Sequence, residues 1–159
     1  MVIKKVIVTW SGVSAGYYPA LRILFYDHNG NLFESGSTIS STIVKAETDN
    51  FIVTASYGAY QGMLQYYPIN AISTEVNKDI GAQLSCFAGN NNDNAFTIEF
   101  KTIQLISKIK ICTKVYSNSM PVATLCIIDI NYNEESYVID DTSNDVGTIH
   151  EYNLPVMAY

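Results

Sequence analysis

Residues 95–115 read AFTIEFKTIQLISKIKICTKV, and this stretch decides the fold class of the chain. Every second residue from Phe96 to Phe100 is apolar, and Ile109 and Ile111 alternate with lysines. Successive side chains of a strand point to opposite faces, so each run has one apolar and one largely polar face. The stretch therefore predicts two β-strands joined by a short turn, in an antiparallel sheet packed on one side only.

Apolar runs of strand length, separated by turn residues, continue along the whole chain. The clearest turn is Asp27-His28-Asn29-Gly30, because Asn-Gly tolerates positive φ at both central positions and so predicts a hairpin into Leu32 and Phe33. Nine to eleven strands, no helix and no linker predict one all-β domain over residues 1–159, an antiparallel β-sandwich or jelly roll. Besides the two strands within 95–115, the predicted strands are 2–9, 21–27, 42–46, 51–55, 83–87, 122–130, 137–139 and 148–154. Residues 35–41 are predicted to be turn-like, and residues 56–70 an aromatic loop with one helical turn.

The charge balance argues against a nucleic-acid partner. The net charge is −6, the pI is about 4.7 and Arg22 is the single arginine, whereas phosphate-backbone binding needs clustered basic residues. Lys108, Lys110 and Lys114 do fall on one face of a predicted strand. Such a stripe could meet an acidic partner, but a solvated face that discourages edge aggregation is the more common explanation.

Cysteine usage and hydropathy indicate the compartment. Cys86, Cys112 and Cys126 lack C-x-x-C spacing and lie in apolar runs, which predicts buried thiols of a reducing compartment. The apolar run at residues 6–8 is too short for a signal peptide, and no run approaches the ~20 residues of a membrane span. We expect a soluble protein made in the cytoplasm, with no membrane partner, that could belong to a virion.

Two motifs raise the question of catalysis or metal binding. Residues 12–16 read GVSAG and match the G-x-S-x-G nucleophile elbow, but that motif needs a helix after the serine and a parallel sheet around it. An esterase using Ser14 is therefore the least favoured hypothesis. Asp140, Asp141 and Asp145, with the asparagine-rich residues 90–94, offer oxygen ligands suited to calcium. Because the EF-hand spacing fails, a hydrated acidic turn is the alternative, and no other cofactor is expected.

The strongest candidate for ligand binding is a set of tyrosines and glutamines in two loops. A tyrosine ring can stack on the C–H face of a sugar, while hydroxyl and amide groups bind the sugar hydroxyls. The same residues would suit a protein interface, so packing against a neighbouring subunit of a homo-oligomer stays open. The candidate residues are Tyr17, Tyr18, Tyr57, Tyr60, Gln61, Gln65, Tyr66 and Tyr67.

Residues 95–111 also resemble the signature of galactose-binding-like β-sandwiches, the group of discoidin domains and many carbohydrate-binding modules. The resemblance lies in an aromatic-led strand, a short turn and an I-x-x-I-x-I strand formed by Ile106, Ile109 and Ile111. Residues 70–72 are similar to the segment that precedes this pair, although residues 73–75 (Ser-Thr-Glu) stand where an Asp-Gly calcium loop is common. Members often carry Trp in the strand before the signature, where this chain has Leu84, Cys86 and Phe87.

The resemblance implies a non-enzymatic module that binds carbohydrate or a cell-surface polymer. A module of this kind without an attached enzyme also suits a phage tail, baseplate or head-fibre component. The second hypothesis is a purely structural virion or assembly protein whose tyrosine-rich loops pack against neighbours.

Overall fold

A computed structural model describes residues 1–11, 18–75, 77–80, 87–89, 95–116, 122–139 and 149–155. These residues form twelve β-strands and three single-turn 3-10 helices, the latter at Tyr60–Gly62, Leu64–Tyr66 and Pro68–Ala71. The strands are β1 (Ile3–Ser11), β2 (Tyr18–Asp27), β3 (Leu32–Phe33), β4 (Thr38–Ser41), β5 (Lys45–Thr48), β6 (Phe51–Ala55), β7 (Phe87–Ala88), β8 (Ala95–Phe100), β9 (Ile106–Tyr116), β10 (Val122–Asp129), β11 (Glu134–Ile139) and β12 (Ile149–Asn153). Among the described residues, no helix is long and apolar enough to cross a membrane.

The strands form two antiparallel sheets that share one core. The larger sheet has seven strands in the order β11-β10-β1-β8-β6-β5-β4, and the smaller has five, β12-β9-β2-β3 with β7 also paired to β2. Alternate residues of both sheets, such as Val8 of β1, Phe25 of β2 and Ile111 of β9, are buried in a single apolar cluster. The indole Nε1 of Trp10 donates a buried 3.0 Å hydrogen bond to Thr113 Oγ1 from one sheet to the other. The architecture is therefore the predicted β-sandwich.

The stretch at residues 95–115 is not a hairpin. β8 pairs with β1 and β6 in the larger sheet, whereas β9 pairs with β2 and β12 in the smaller. Residues 101–105 cross from one sheet to the other, so Phe96 and Ile111 face the same core from opposite sides. The alternation was correctly predicted but the pairing was wrong, because alternation fixes which face is buried and not which strand lies alongside.

The predicted hairpin at Asp27 is confirmed, with a different turn geometry. β2 pairs with β3 through Tyr26 and Leu32. Although Asn-Gly tolerates positive φ at both central positions, only Gly30, at φ 81°, adopts it. One carboxylate oxygen of Asp27 accepts the backbone N–H groups of Asn29 and Asn31, each at 2.9 Å. This side-chain acceptor organises the turn, and glycine closes it.

The turn between β10 and β11 repeats this arrangement with one change. Asp129 Oδ1 accepts the N–H groups of Asn131 at 2.8 Å and Asn133 at 2.9 Å, as in the first turn. The side-chain amide of Asn133 also donates to Asp129 Oδ2 at 3.0 Å. This bond first, and then the two backbone bonds, lower the pKa of Asp129. Both turns read D-x-N-x-N, yet Tyr132 at φ 63° stands where Gly30 stands in the first. A left-handed conformation costs a residue with a β-carbon roughly 1–2 kcal/mol.

Substitutions in these sister turns should shift stability in opposite directions. Gly30→Ala should lower the free energy of unfolding by about 1 kcal/mol, because alanine is strained at this φ. Tyr132→Gly should raise it by about 0.5–1 kcal/mol, since relief of strain outweighs the added entropy of the unfolded chain. Urea denaturation measures both changes, and shifts of the same sign would contradict the assignment of Tyr132 as a strained residue.

Several boundaries differ from the prediction. The turn-like residues 35–41 include β4, and the strand predicted at 42–46 begins only at Lys45, because residues 42–44 form the β4–β5 connection. The chain has twelve described strands instead of nine to eleven, and residues 56–71 contain three 3-10 turns instead of one. Cys112 is buried and Cys126 half-buried, while Cys86 and Leu84 lie outside the described residues.

The outer face of the smaller sheet is only partly solvated. Lys108 and Lys110 lie on it with their ammonium groups 4.9 and 5.2 Å from the ring centre of Tyr26, and the side chain of Lys114 is outside the described part. On the same face Arg22 and Cys112, which oppose each other in the β2–β9 register, are fully buried. The prediction of a sheet packed on one side only is therefore wrong at this position.

Candidate functional site

The candidate site is the tyrosine loop, defined as residues 57–67. It leaves the larger sheet after β6 and continues into the Pro68–Ala71 turn, which packs against β4 and β5 of one sheet and β2 and β7 of the other. Pro68 and Ala71 are buried there. The N–H of Ala59 donates a 2.8 Å hydrogen bond to Ile43 O. The loop is therefore attached to the sandwich at both ends.

Arg22 holds the segment that follows the loop. Its side chain rises from β2, is fully buried, and donates to the backbone carbonyls of residues 70, 73, 77 and 79. The shortest of these bonds runs from Nη2 to Asn77 O at 2.6 Å. Guanidinium donors have a fixed planar arrangement, so the four carbonyls are held in one relative position. One strand side chain thus holds the backbone at residues 70, 73, 77 and 79.

The tyrosine loop presents aromatic and amide groups at the surface. Tyr57 is 60% exposed. The rings of Tyr60 and Tyr66 meet edge to face with centroids 6.0 Å apart, and Gln61 Nε2 donates to the Tyr60 hydroxyl at 3.0 Å. Gln61 is itself left-handed, at φ 51°. The structure therefore brings Tyr60, Gln61 and Tyr66 together, on the same loop as the more exposed Tyr57.

The remaining candidate residues do not join this group among the described contacts. Gln65 is exposed, and its carbonyl accepts the amide of Asn70 at 2.8 Å, while Tyr67 is half-buried. Tyr18 is the first residue of β2 and its side chain is not described; Tyr17 lies outside the described residues. The part of Tyr17 and Tyr18 in ligand binding stays a prediction.

Exposed aliphatic residues next to these tyrosines were missed by the sequence reasoning. Leu64 is 75% exposed, and Met63, Ile43 and Val44 are also exposed. A β-carbon at Gly58 would lie 2.6 Å from Ile43 O and 2.9 Å from Val44 Cγ1, so glycine is needed for residues 43–44 to approach the loop. The missed signal is the run Thr42-Ile43-Val44, which was assigned to a strand.

A polar cleft of about 280 Å³ lies where Thr74, Glu75 and Lys78 meet the β3–β4 connection and the β5–β6 turn. Its carboxylates already hold these segments together: Glu75 accepts the N–H of Thr38 at 3.0 Å, and Asp49 accepts that of Ser37 at 2.8 Å. Lys78 forms an ion pair with Glu34. The lining groups are engaged with each other, which favours a structural role for the cleft.

The residues proposed for metal binding and catalysis cannot be placed. Asp140, Asp141, Asp145, residues 90–94 and Ser14 all lie outside the described residues. Within the described ranges, no group of three or more His, Cys, Asp or Glu side chains could hold a metal ion. The calcium and esterase hypotheses therefore stay predictions from sequence.

No family model, curated protein or solved structure matches this chain. The candidate site therefore rests on the geometry of the tyrosine loop and on its anchoring by Arg22.

Proposed function

We propose that this protein is a non-enzymatic recognition module that binds carbohydrate or a cell-surface polymer through the tyrosine loop. The observation that carries the proposal is the Tyr60–Gln61–Tyr66 group and the exposed Tyr57 on the same loop, which is anchored at both ends. An aromatic face with nearby hydroxyl and amide groups matches the apolar and polar faces of a pyranose. Anchoring also reduces the entropy lost when a ligand binds.

The proposal includes a galactose-binding-like sandwich and a particle setting. The resemblance at residues 95–111 supports this type of sandwich, although β8 and β9 lie in different sheets here. In a phage tail, baseplate or head fibre, such a module would contact the host surface. Tail or capsid genes beside the gene for this chain would support that setting.

A glycan array probed with wild-type protein and with Tyr57→Ala tests the proposal. Loss of an exposed stacking ring should weaken binding about tenfold or more, without a change in melting temperature. Ile103→Ala is the control, because it removes an 82% exposed apolar side chain from the crossing between the sheets, away from the loop. No binding to any glycan by the wild type, or equal binding by Tyr57→Ala, would contradict the proposal.

A second candidate function is assembly with other protein subunits. It is favoured by the exposed Leu64, Met63, Ile43 and Val44, because aliphatic side chains at the surface are more typical of protein interfaces than of sugar sites. Leu64→Glu should then shift the mass measured by light scattering from an oligomer to a monomer. Ile103→Glu should leave that mass unchanged. A wild-type monomer at every concentration would rule this candidate out.

A further inference from the structure

Tyr132 is a strained and exposed aromatic residue at the tip of the β10–β11 turn. It keeps a left-handed φ of 63° in a position that glycine fills in the sister turn, and its side chain is 69% exposed. A bulky residue in this conformation persists only when something holds it, and such residues cluster at functional sites. The fold needs only the backbone of residue 132, so the tyrosine side chain calls for another explanation.

A second backbone irregularity brings Lys4 to Tyr132. The β1–β10 register shifts between Ile3 and Lys5, which places an extra residue, Lys4, in a β-bulge. Bulges redirect side chains, and Lys4 Nζ donates a 2.6 Å hydrogen bond to the Tyr132 hydroxyl. This bond is the main reason that the pKa of Tyr132 lies below its ordinary value. The ammonium lies nearer the hydroxyl than the ring centre, which is 4.3 Å away.

Lys4 is one of the lysines that form no ion pair with a carboxylate in the described part of the chain. Lys78, Lys101 and Lys108 each pair with a glutamate. Lys4 has no carboxylate of a described residue within ion-pair distance, whereas its neighbour Lys5 lies opposite Glu99 in the β1–β8 register. An ammonium has three donors, and the bond to Tyr132 uses one. Lys4 therefore keeps donors for an external anion.

We propose that Tyr132 and Lys4 form a binding site for an acidic sugar, a pyranose bearing a carboxylate. The ring of Tyr132 stacks on the C–H face of the sugar, and Lys4 donates to the carboxylate in a charge-assisted hydrogen bond. The site lies at the start of β1, and the tyrosine loop leaves β6 at the opposite end of the sheet. It is thus separate from the loop and would stand even if the loop bound protein.

An NMR titration with a galacturonic acid trimer tests the proposal, with the neutral galactose trimer as the matched ligand. We expect amide shifts at Lys4 and Tyr132 with the acidic trimer, and at least about tenfold weaker binding of the neutral one. Tyr132→Gly and Lys4→Gln should each weaken binding of the acidic trimer by about tenfold or more. The glycine variant should fold, because the sister turn carries Gly30. Lys45→Gln, an exposed control on β5, should bind like the wild type.

Four results would overturn the site. The first is the absence of shifts at Lys4 and Tyr132 at about 10 mM acidic trimer, a concentration close to saturation for a Kd of about 1 mM. The second is equal binding of the neutral trimer, and the third is an unchanged affinity of Tyr132→Gly for the acidic trimer. The fourth is equally tight binding of triglutamate, which would assign the site to acidic peptides. Tyr57→Ala should leave the affinity for the acidic trimer unchanged. The experiments therefore distinguish failure of the proposal for the tyrosine loop from failure of the proposal for Lys4 and Tyr132.

Discussion

Arg22→Met should lower the free energy of unfolding by about 3–5 kcal/mol. Methionine fills much of the volume, but the carbonyls of residues 70, 73, 77 and 79 lose their donors while the segment that carries them still covers the side chain. A buried acceptor without a partner retains its desolvation penalty.

Urea denaturation of Arg22→Met, Arg22→Lys and Lys45→Met measures this effect. Lysine retains the charge but gathers its donors on one nitrogen, so we expect a loss smaller than that of methionine but still above ~1 kcal/mol. Lys45 is an exposed cation on β5, and its replacement should change stability by less than ~0.5 kcal/mol. A urea midpoint for Arg22→Met equal to that of the wild type would show that the backbone at residues 70, 73, 77 and 79 does not depend on the guanidinium.

Phe51→Ala should destabilise the protein by about 3–5 kcal/mol. Phe51 is almost fully buried on β6. Its ring meets Phe100 of the same sheet at 4.9 Å, and Phe25 and Phe33 of the other sheet at 5.5 and 5.6 Å. The cavity would lie between the sheets, where several rings lose contacts together.

Thermal melts of Phe51→Ala and of the control variant Tyr57→Ala measure this effect. The control should melt like the wild type, because the Tyr57 side chain is exposed. A double-mutant cycle between Phe25→Leu and Phe51→Leu should give a coupling of about 0.5–1.5 kcal/mol across the sheets. A loss below ~1 kcal/mol for Phe51→Ala, with no coupling, would contradict the packing of the two sheets on this cluster.

The elements that local pattern determines were predictable from sequence. Alternation at Phe96 and Ile98, and again at Ile109 and Ile111, identified the buried faces, and the Asp27 turn identified a hairpin. Strand pairing was not predictable in this way, because β8 has the same alternation whether it pairs with β9 or faces it across the core. The choice depends on contacts between residues far apart in the chain.

Two features of the structure, Arg22 and the Asp129 turn, had signals in the sequence that the prediction did not use. Arg22 is the single arginine and lies within the apolar run Ala-Leu-Arg-Ile-Leu-Phe, which indicates a buried and satisfied charge. The repeated D-x-N-x-N pattern links the turns at Asp27 and Asp129, and Tyr132 is the residue at which they differ most. The exposure of Leu64 had no such signal, because it depends on how residues 57–67 lie over the sheet edge.

The most direct test of the central claim, that the tyrosine loop is the contact surface, is amide shift mapping with the tightest neutral ligand from the glycan array. The proposal predicts the largest shifts at residues 57–66, with little change at Ile103 or in the Asp27 turn. No neutral ligand to map, or shifts confined to surfaces away from the loop, would contradict it.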